Sequence, residues 1–128
     1  MIVAGIGSKR GVSVEEVIAA FDAALARAEL GRDDVSLVAT PAVKGGEAGI
    51  SEAAALLGLP LVLVPQSQLE AASSRAKTHS ERVVALLRVP SAAETAALAA
   101  AGAHGRLIGP RLALGPVTCA LARREGVV

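Results

Sequence analysis

The residues best able to do chemistry stand at the start of the chain. Ile2-Val3-Ala4-Gly5-Ile6-Gly7-Ser8-Lys9-Arg10-Gly11 is a short apolar run that ends in glycines and two adjacent cations. Glycine admits positive φ and close backbone approach, so a tight turn fits here. A helix opening at Ser13 follows, and its first N–H groups are unpaired and carry partial positive charge. Lys9 and Arg10 add full charges. Together these groups predict a pocket for anions, carboxylates or phosphates. A second basic turn, Lys44-Gly45-Gly46-Glu47, follows the next strand.

Competing chemistries fit less well. Gly5-x-Gly7-x-x-x-Gly11 is one residue longer than a dinucleotide fingerprint, and the following strand ends in Thr40-Pro41-Ala42, with no carboxylate for a ribose. The Gly-Lys-Ser/Thr end of a P-loop and the Gly-x-Ser-x-Gly of a hydrolase elbow are both missing. One cysteine, Cys119, and two distant histidines, His79 and His104, give no metal-ligand spacing, so no metal is expected. Cys119 lies in an apolar segment and is read as buried and inert. No cofactor is implied and no nucleophile stands out. Lys44 and Glu47 are the candidates for catalysis. Glu47 has three open readings: a first-turn carboxylate favoured by the helix dipole, a salt-bridge partner of Lys44, or a general acid/base. Glu94 is read as the capping-box partner of Ser91.

The elements that must position these groups follow from periodicity. The 128 residues are 52% hydrophobic, which predicts one domain, 1–128, with a packed core. Residues 2–6 read as a buried strand and 13–29 as a helix with Val17, Phe21 and Leu25 on one face. Strands are expected at 35–40 and 61–64, with a helix over 47–57 between them. Segment 66–80 reads as a helical turn near Leu69 and then a mobile basic loop through Arg75 and Lys77. Short helices follow at 80–87 and 91–101. Leu107, Ile108 and 111–115 suggest strand. Residues 117–123 fit helix or strand by periodicity, and Gly115-Pro116 suggests a hairpin. The expected class is α/β: a three-layer α/β/α fold with a mostly parallel mixed sheet of about five strands and a C-terminal hairpin. Ligands of such sheets lie beyond the carboxyl ends of the strands. That edge carries Lys9, Arg10 and Lys44, with Gln66 and Ser67 after the third strand. Arg75 and Lys77 would close over it from the loop.

Formal net charge is +1, from 13 basic and 12 acidic residues, and Phe21 is the one aromatic. Neither a basic field nor stacking platforms favour nucleic acid. No apolar stretch spans a bilayer and no signal-peptide pattern is present, so a cytoplasmic protein without a membrane partner is expected.

The opening Gly5-to-Gly11 segment, then Ala39-Thr40 with Lys44 and Glu47, resembles the CobE/CbiG C-terminal family of cobalamin-biosynthesis proteins. Ser80 with Val83, Ser91 to Glu94 with Ala96, Ala97 and Leu98, then Leu107 and Val117-Thr118-x-Ala120, agree in order. The resemblance covers essentially the whole chain. Arg111 stands where the family favours lysine, and Ser8 where cysteine is common. The resemblance implies a role in building the corrin ring and tips 117–123 toward strand. Its implied partner is a corrin or precorrin intermediate, with other pathway enzymes as further partners and oligomeric state open. Longer CbiG-type relatives open the lactone of cobalt-precorrin-5A and release acetaldehyde. This chain resembles the stand-alone CobE type, so a binding or carrier role leads, with hydrolysis and scaffolding as alternatives. The expected substrate-binding set is Gly5, Gly7, Ser8, Lys9, Arg10, Gly11, Ser13, Thr40, Lys44, Glu47, Arg111 and Thr118.

Overall fold

The structure is a computed structural model that describes residues 1–125. Its elements are β1 (Ile2–Ser8), α1 (Val14–Arg27), β2 (Leu37–Pro41), α2 (Ala48–Leu57), β3 (Leu61–Val64), α3 (Gln66–Ala72), α4 (Glu81–Leu87), α5 (Ala92–Ala101), β4 (Arg106–Leu107), β5 (Leu112–Leu114) and β6 (Val117–Arg123). The sheet order is β3-β2-β1-β6-β4, and β5 also pairs with β6. β1, β2 and β3 run parallel, whereas β6 is antiparallel to β1, β4 and β5. This is the expected mixed α/β sheet. The ambiguous tail is strand, and it lies in the sheet's interior beside β1. Gly115, at φ +57, turns the hairpin that pairs Leu114 with Val117.

Strand alternation divides the core between the two faces of the sheet. Ile2, Ala4 and Ile6 meet Val17, Phe21, Leu25 and Ile50 from α1 and α2. Val3, Ala39 and Ala122 meet Leu69, Ala97, Leu98 and Ala101 from α3 and α5. Phe21, Ile50, Leu69 and Leu98 are all fully buried. Each such side chain contributes about 1.5–3 kcal/mol of burial. Helix starts follow local chemistry. Ser13 caps α1, and Glu16 returns the bond to the Ser13 N–H at 3.0 Å. Gly58 ends α2 at φ +70.

Three expectations change. Gly5 lies in the strand as the 2–6 reading has it, but β1 runs on to Ser8, so Gly7 too lies inside the strand and not in a turn. The reason is packing: α5 crosses so closely that a Cβ on Gly5 would overlap the Ala93 carbonyl oxygen. A Cβ on Gly7 would come within 2.7 Å of Thr118 Oγ1. At the α1 N-terminus the capping box pairs the Ser13 and Glu16 N–H groups, and Ser13 does not line the cleft at the strand ends. Finally, segment 66–80 is held in place. α3 continues into a 3-10 turn at Ser73–Arg75, and Arg75 Nη1 donates to the carbonyls of Gly102 (3.2 Å) and Gly105 (2.6 Å). Arg75 is thereby held away from the strand ends where Lys9, Arg10 and Lys44 sit.

Candidate functional site

A cleft of ≈ 670 Å³ opens where β1 and β2 end. Gly7, Ser8 and Thr118 line its base. The Thr118 hydroxyl donates to the Gly7 carbonyl at 3.4 Å. Ser8 Oγ is buried and has no hydrogen-bond partner. Burial of an unpaired hydroxyl is unfavourable, so this atom is a ready donor or acceptor for whatever enters.

Five cations surround the cleft: Lys9, Arg10, Lys44, Arg82 and Arg111. Four separate segments deliver them. The Lys9 N–H donates to the Pro116 carbonyl at 3.0 Å, which ties the basic turn to the β5–β6 hairpin. Lys44 ends the 3-10 turn Ala42–Lys44 that follows β2. Arg82 comes from α4 and Arg111 from the entry to β5. Among the described residues the one ion pair is Asp22–Arg32, at 2.7 Å, and it is outside the cleft. Arg32 holds the Asp22 carboxyl below its ordinary range by hydrogen bonding and charge. Among the described residues none of the five cleft cations pairs with a carboxylate, which leaves their charge available to a ligand.

Glu47 is the carboxylate that lines the cleft. It is the N-cap residue of α2, and its Oε2 accepts the Gly11 N–H at 3.1 Å. The Lys44–Glu47 salt bridge, one of the three readings of Glu47, is not formed. Apolar side chains complete the walls: Val43 and Leu86 at the mouth are 68% and 69% exposed, with Val83, Leu87 and Pro116 deeper. The arrangement fits an amphiphile, with a broad apolar body and several anionic groups at its margin.

Eight of the twelve expected binding residues line this cleft: Gly7, Ser8, Lys9, Arg10, Lys44, Glu47, Arg111 and Thr118. The other four do not. Gly5 sits beneath α5, Ser13 caps α1, and Gly11 supplies only its N–H to Glu47. Thr40 is fully buried, and its hydroxyl donates to the Ile6 carbonyl at 2.8 Å, which joins β2 to β1. Gln66 and Ser67 are also outside. Gln66 Nε2 donates to the Leu87 carbonyl at 2.5 Å and so props α4. Lys77, read as closing over the strand ends, lines a second cavity with Arg75, Arg106 and Arg123.

Sequence reasoning missed α4 as a wall. Arg82, Val83, Leu86 and Leu87 all belong to it. The signal was present in Ser80, which caps α4 through the Val83 N–H, followed by apolar residues around one arginine. Glu94 takes only one half of the expected capping box. Ser91 Oγ does accept the Glu94 N–H at 3.3 Å, but the Glu94 carboxylate turns away from the cap. It accepts bonds from Lys77, Thr78 and Arg111 instead.

Cys119 is fully buried on β6, and burial pushes its thiol up to about 12. No group of His, Cys, Asp and Glu able to hold a metal occurs among the described residues. No single described helix is long and apolar enough to cross a membrane.

The comparisons bear on the family and the fold. The family described as "Cobalamin synthesis G C-terminus" matches residues 2–122. The chain belongs to the CobE/CbiG C-terminal family. It is a cobalamin-biosynthesis protein with the α/β fold of that family. Protein CobE of Sinorhizobium sp is 36% identical over 121 residues, covering 94% of this chain and 79% of the relative. The crystal structure of CobE, a protein from the cobalamin (vitamin B12) biosynthetic pathway, matches with a TM-score of 0.92 at 28% identity. That match covers 98% of this chain and 91% of the other. Cobalamin biosynthesis protein chiG from Agrobacterium tumefaciens str. C58 is 40% identical with a TM-score of 0.79, covering 98% of this chain and all (100%) of the other. A cobalamin biosynthesis protein G homologue from Sulfolobus solfataricus is longer. This CobE/CbiG chain spans 37% of it, at 25% identity and a TM-score of 0.75.

Proposed function

We propose that the cleft binds a carboxylate-rich corrin-ring intermediate and that the protein holds or hands over this molecule within the pathway. Membership of a cobalamin-biosynthesis family supports a corrin-ring intermediate as the ligand class. The observation that carries the reading is the convergence of five unpaired cations around one aliphatic-walled cleft. Corrin precursors are flat apolar macrocycles fringed with acetates and propionates. Arg10, Arg82 and Arg111 suit bidentate contacts to those carboxylates, and Lys9 and Lys44 add point charges. Val43, Val83, Leu86 and Leu87 cover the macrocycle. Phe21 is buried in the core, so the cover is aliphatic. The unpaired Ser8 hydroxyl supplies one more polar contact.

The test is a titration of the purified protein with a corrin-pathway intermediate, followed by visible absorption. A saturable spectral change that weakens in an Arg10→Ala/Lys44→Ala variant is expected. Absence of binding, or equal binding by that variant, overturns the reading. The same incubation with cobalt-precorrin-5A, assayed for acetaldehyde, separates carrier from hydrolase. A carrier returns the pigment unchanged. Co-elution with a pathway enzyme but no pigment would replace the reading with a scaffold.

A further inference from the structure

We infer that Glu94 is a positioning residue that sets Arg111 and the α4 wall of the cleft, an inference that rests on the proposed binding role of that cleft. Glu94 is on the first turn of α5, outside the cleft, and is fully buried. No cation pairs with it among the described residues. Its carboxylate is satisfied by four donors. Oε1 accepts the N–H groups of Lys77 (2.9 Å) and Thr78 (2.7 Å). Oε2 accepts the Thr78 hydroxyl (2.7 Å) and the Arg111 N–H (2.9 Å). An ionised carboxylate has about four acceptor positions, so this one is saturated.

Those donors belong to two segments, 76–88 and 106–116, in which no residue is buried. Thr78 leads into Ser80 and α4. No residue of α4 is buried, yet four of them line the cleft. Its two ends are joined by the Ser80 N–H to the Pro90 carbonyl at 2.8 Å. Arg111 leaves the Gly109 turn, at φ +80, and Arg27 on the other face holds the preceding Pro110 carbonyl. Glu94 therefore links the segment that leads into α4 with the Arg111 backbone, both of which line the cleft. Cap chemistry alone would have been met by Ser91, whose hydroxyl already serves the helix. The carboxylate adds reach to both segments.

The geometry dictates what Glu94→Gln should do. The amide carries one acceptor oxygen and one NH₂. Oε1 faces two backbone donors, neither of which can reverse, so the oxygen must stay there. The NH₂ then takes the Oε2 place. The Thr78 hydroxyl can rotate to accept it, but the Arg111 N–H cannot. Arg111 is thus the group that loses its partner.

Amide hydrogen exchange reads this without any ligand. In Glu94→Gln the Arg111 amide should exchange faster by on the order of tenfold, while the Thr78 amide and those of β1 and β6 stay protected. In the native protein the Thr78 and Arg111 amides should open together as denaturant rises, a measurement that stands even if the variant fails to fold. Independent opening of the two, or unchanged Arg111 exchange in the variant, overturns the inference.

The second arm uses uroporphyrin, a flat tetrapyrrole fringed with acetates and propionates, as probe. Glu94→Gln and Arg111→Ala should each weaken binding by roughly tenfold. Glu94→Gln added to Arg111→Ala should cost no more than about twofold further. Additive losses would mean that Glu94 acts elsewhere, which overturns its positioning role. If the native protein does not bind the probe, the cleft reading fails and the exchange arm alone decides on Glu94.

Discussion

Two basic cavities of nearly equal size lie at opposite ends of β1 and β6. The cleft at Ser8 and Thr118 measures ≈ 670 Å³, and the cavity at Arg106 and Arg123 measures ≈ 620 Å³. Five cations line the first and four the second, so cation number does not distinguish them. Their commitments do. In the second cavity Arg75 is already bound to two backbone carbonyls. Arg106 and Arg123 are cross-strand partners, an arrangement in which like charges repel. Glu125 lines this cavity as Glu47 lines the cleft, and neither forms an ion pair among the described residues. In the cleft the cations are unpaired, an unsatisfied hydroxyl sits at the base, and exposed Val43 and Leu86 stand at the mouth. A basic pocket becomes a plausible ligand site when its charges are free and apolar surface adjoins them.

The strand shared by the two ends gives the largest expected effect. Cys119 pairs with Ile6 and Leu112, and its thiol is raised from an ordinary 9.0 to about 12. Labelling by a thiol reagent at mildly alkaline pH should run about a thousandfold slower than in the unfolded chain. The folded thiol keeps its proton where an unfolded one would lose it. Stability from this group is therefore full below pH 9.0 and declines as pH rises toward 12. Cys119→Ala should remove that alkaline component. Rapid labelling of the native protein would mean that β6 opens readily and that the two ends are not rigidly joined.

Next in size is the contact beneath the cleft, where α5 crosses Gly5 even more closely than Ala101 approaches Gly105 at the other cavity. Gly5→Val would push α5 off β1 and should cost about 3 kcal/mol, mostly as overpacking. Thermal denaturation should then show Tm lower by about 10 °C. An unchanged Tm would show that the close approach of α5 is not needed.

The comparison itself is tested by paired variants. Arg10→Ala/Lys44→Ala should weaken tetrapyrrole binding by about 30-fold, at about 1 kcal/mol for each partly solvated charge contact. Arg106→Gln/Arg123→Gln should change it by less than about threefold. Equal losses in both pairs would reduce the cleft to general electrostatic attraction. The smallest effect is on stability. Arg106→Gln relieves the cross-strand repulsion and should add about 0.5 kcal/mol at low salt. Calorimetry in high salt should show no gain, because screening has already removed the repulsion.

Much of the architecture was legible because its signals are local. The Ser13–Glu16 capping box, the Gly58 stop and the Val17-Phe21-Leu25 spacing act within a few residues. The cations beside strand ends were legible for the same reason, since a turn follows each strand. Thr40 misled because a threonine after a strand can serve a ligand or a backbone carbonyl, and only the neighbour at Ile6 decides which. Arg75 and Lys77 misled because polar composition resembles mobility when the partners are 27 residues away at Gly102 or 17 away at Glu94. α4 was recognised as a short helix, but nothing in its own seven residues said which cavity it would face.

What the sequence by itself determined was the element types, the helix limits and the family, because periodicity, capping and motif order are properties of neighbouring residues. Tertiary structure decided the site. β6 returns antiparallel beside β1 and sets Val117 opposite Ser8, which brings Thr118, Pro116 and Arg111 to the basic turn. The same packing makes Gly5 and Gly7 the groove that admits α5. Residues more than a hundred positions apart leave no local trace of their meeting, because the free energy that joins them is burial and pairing realised only when the sheet closes.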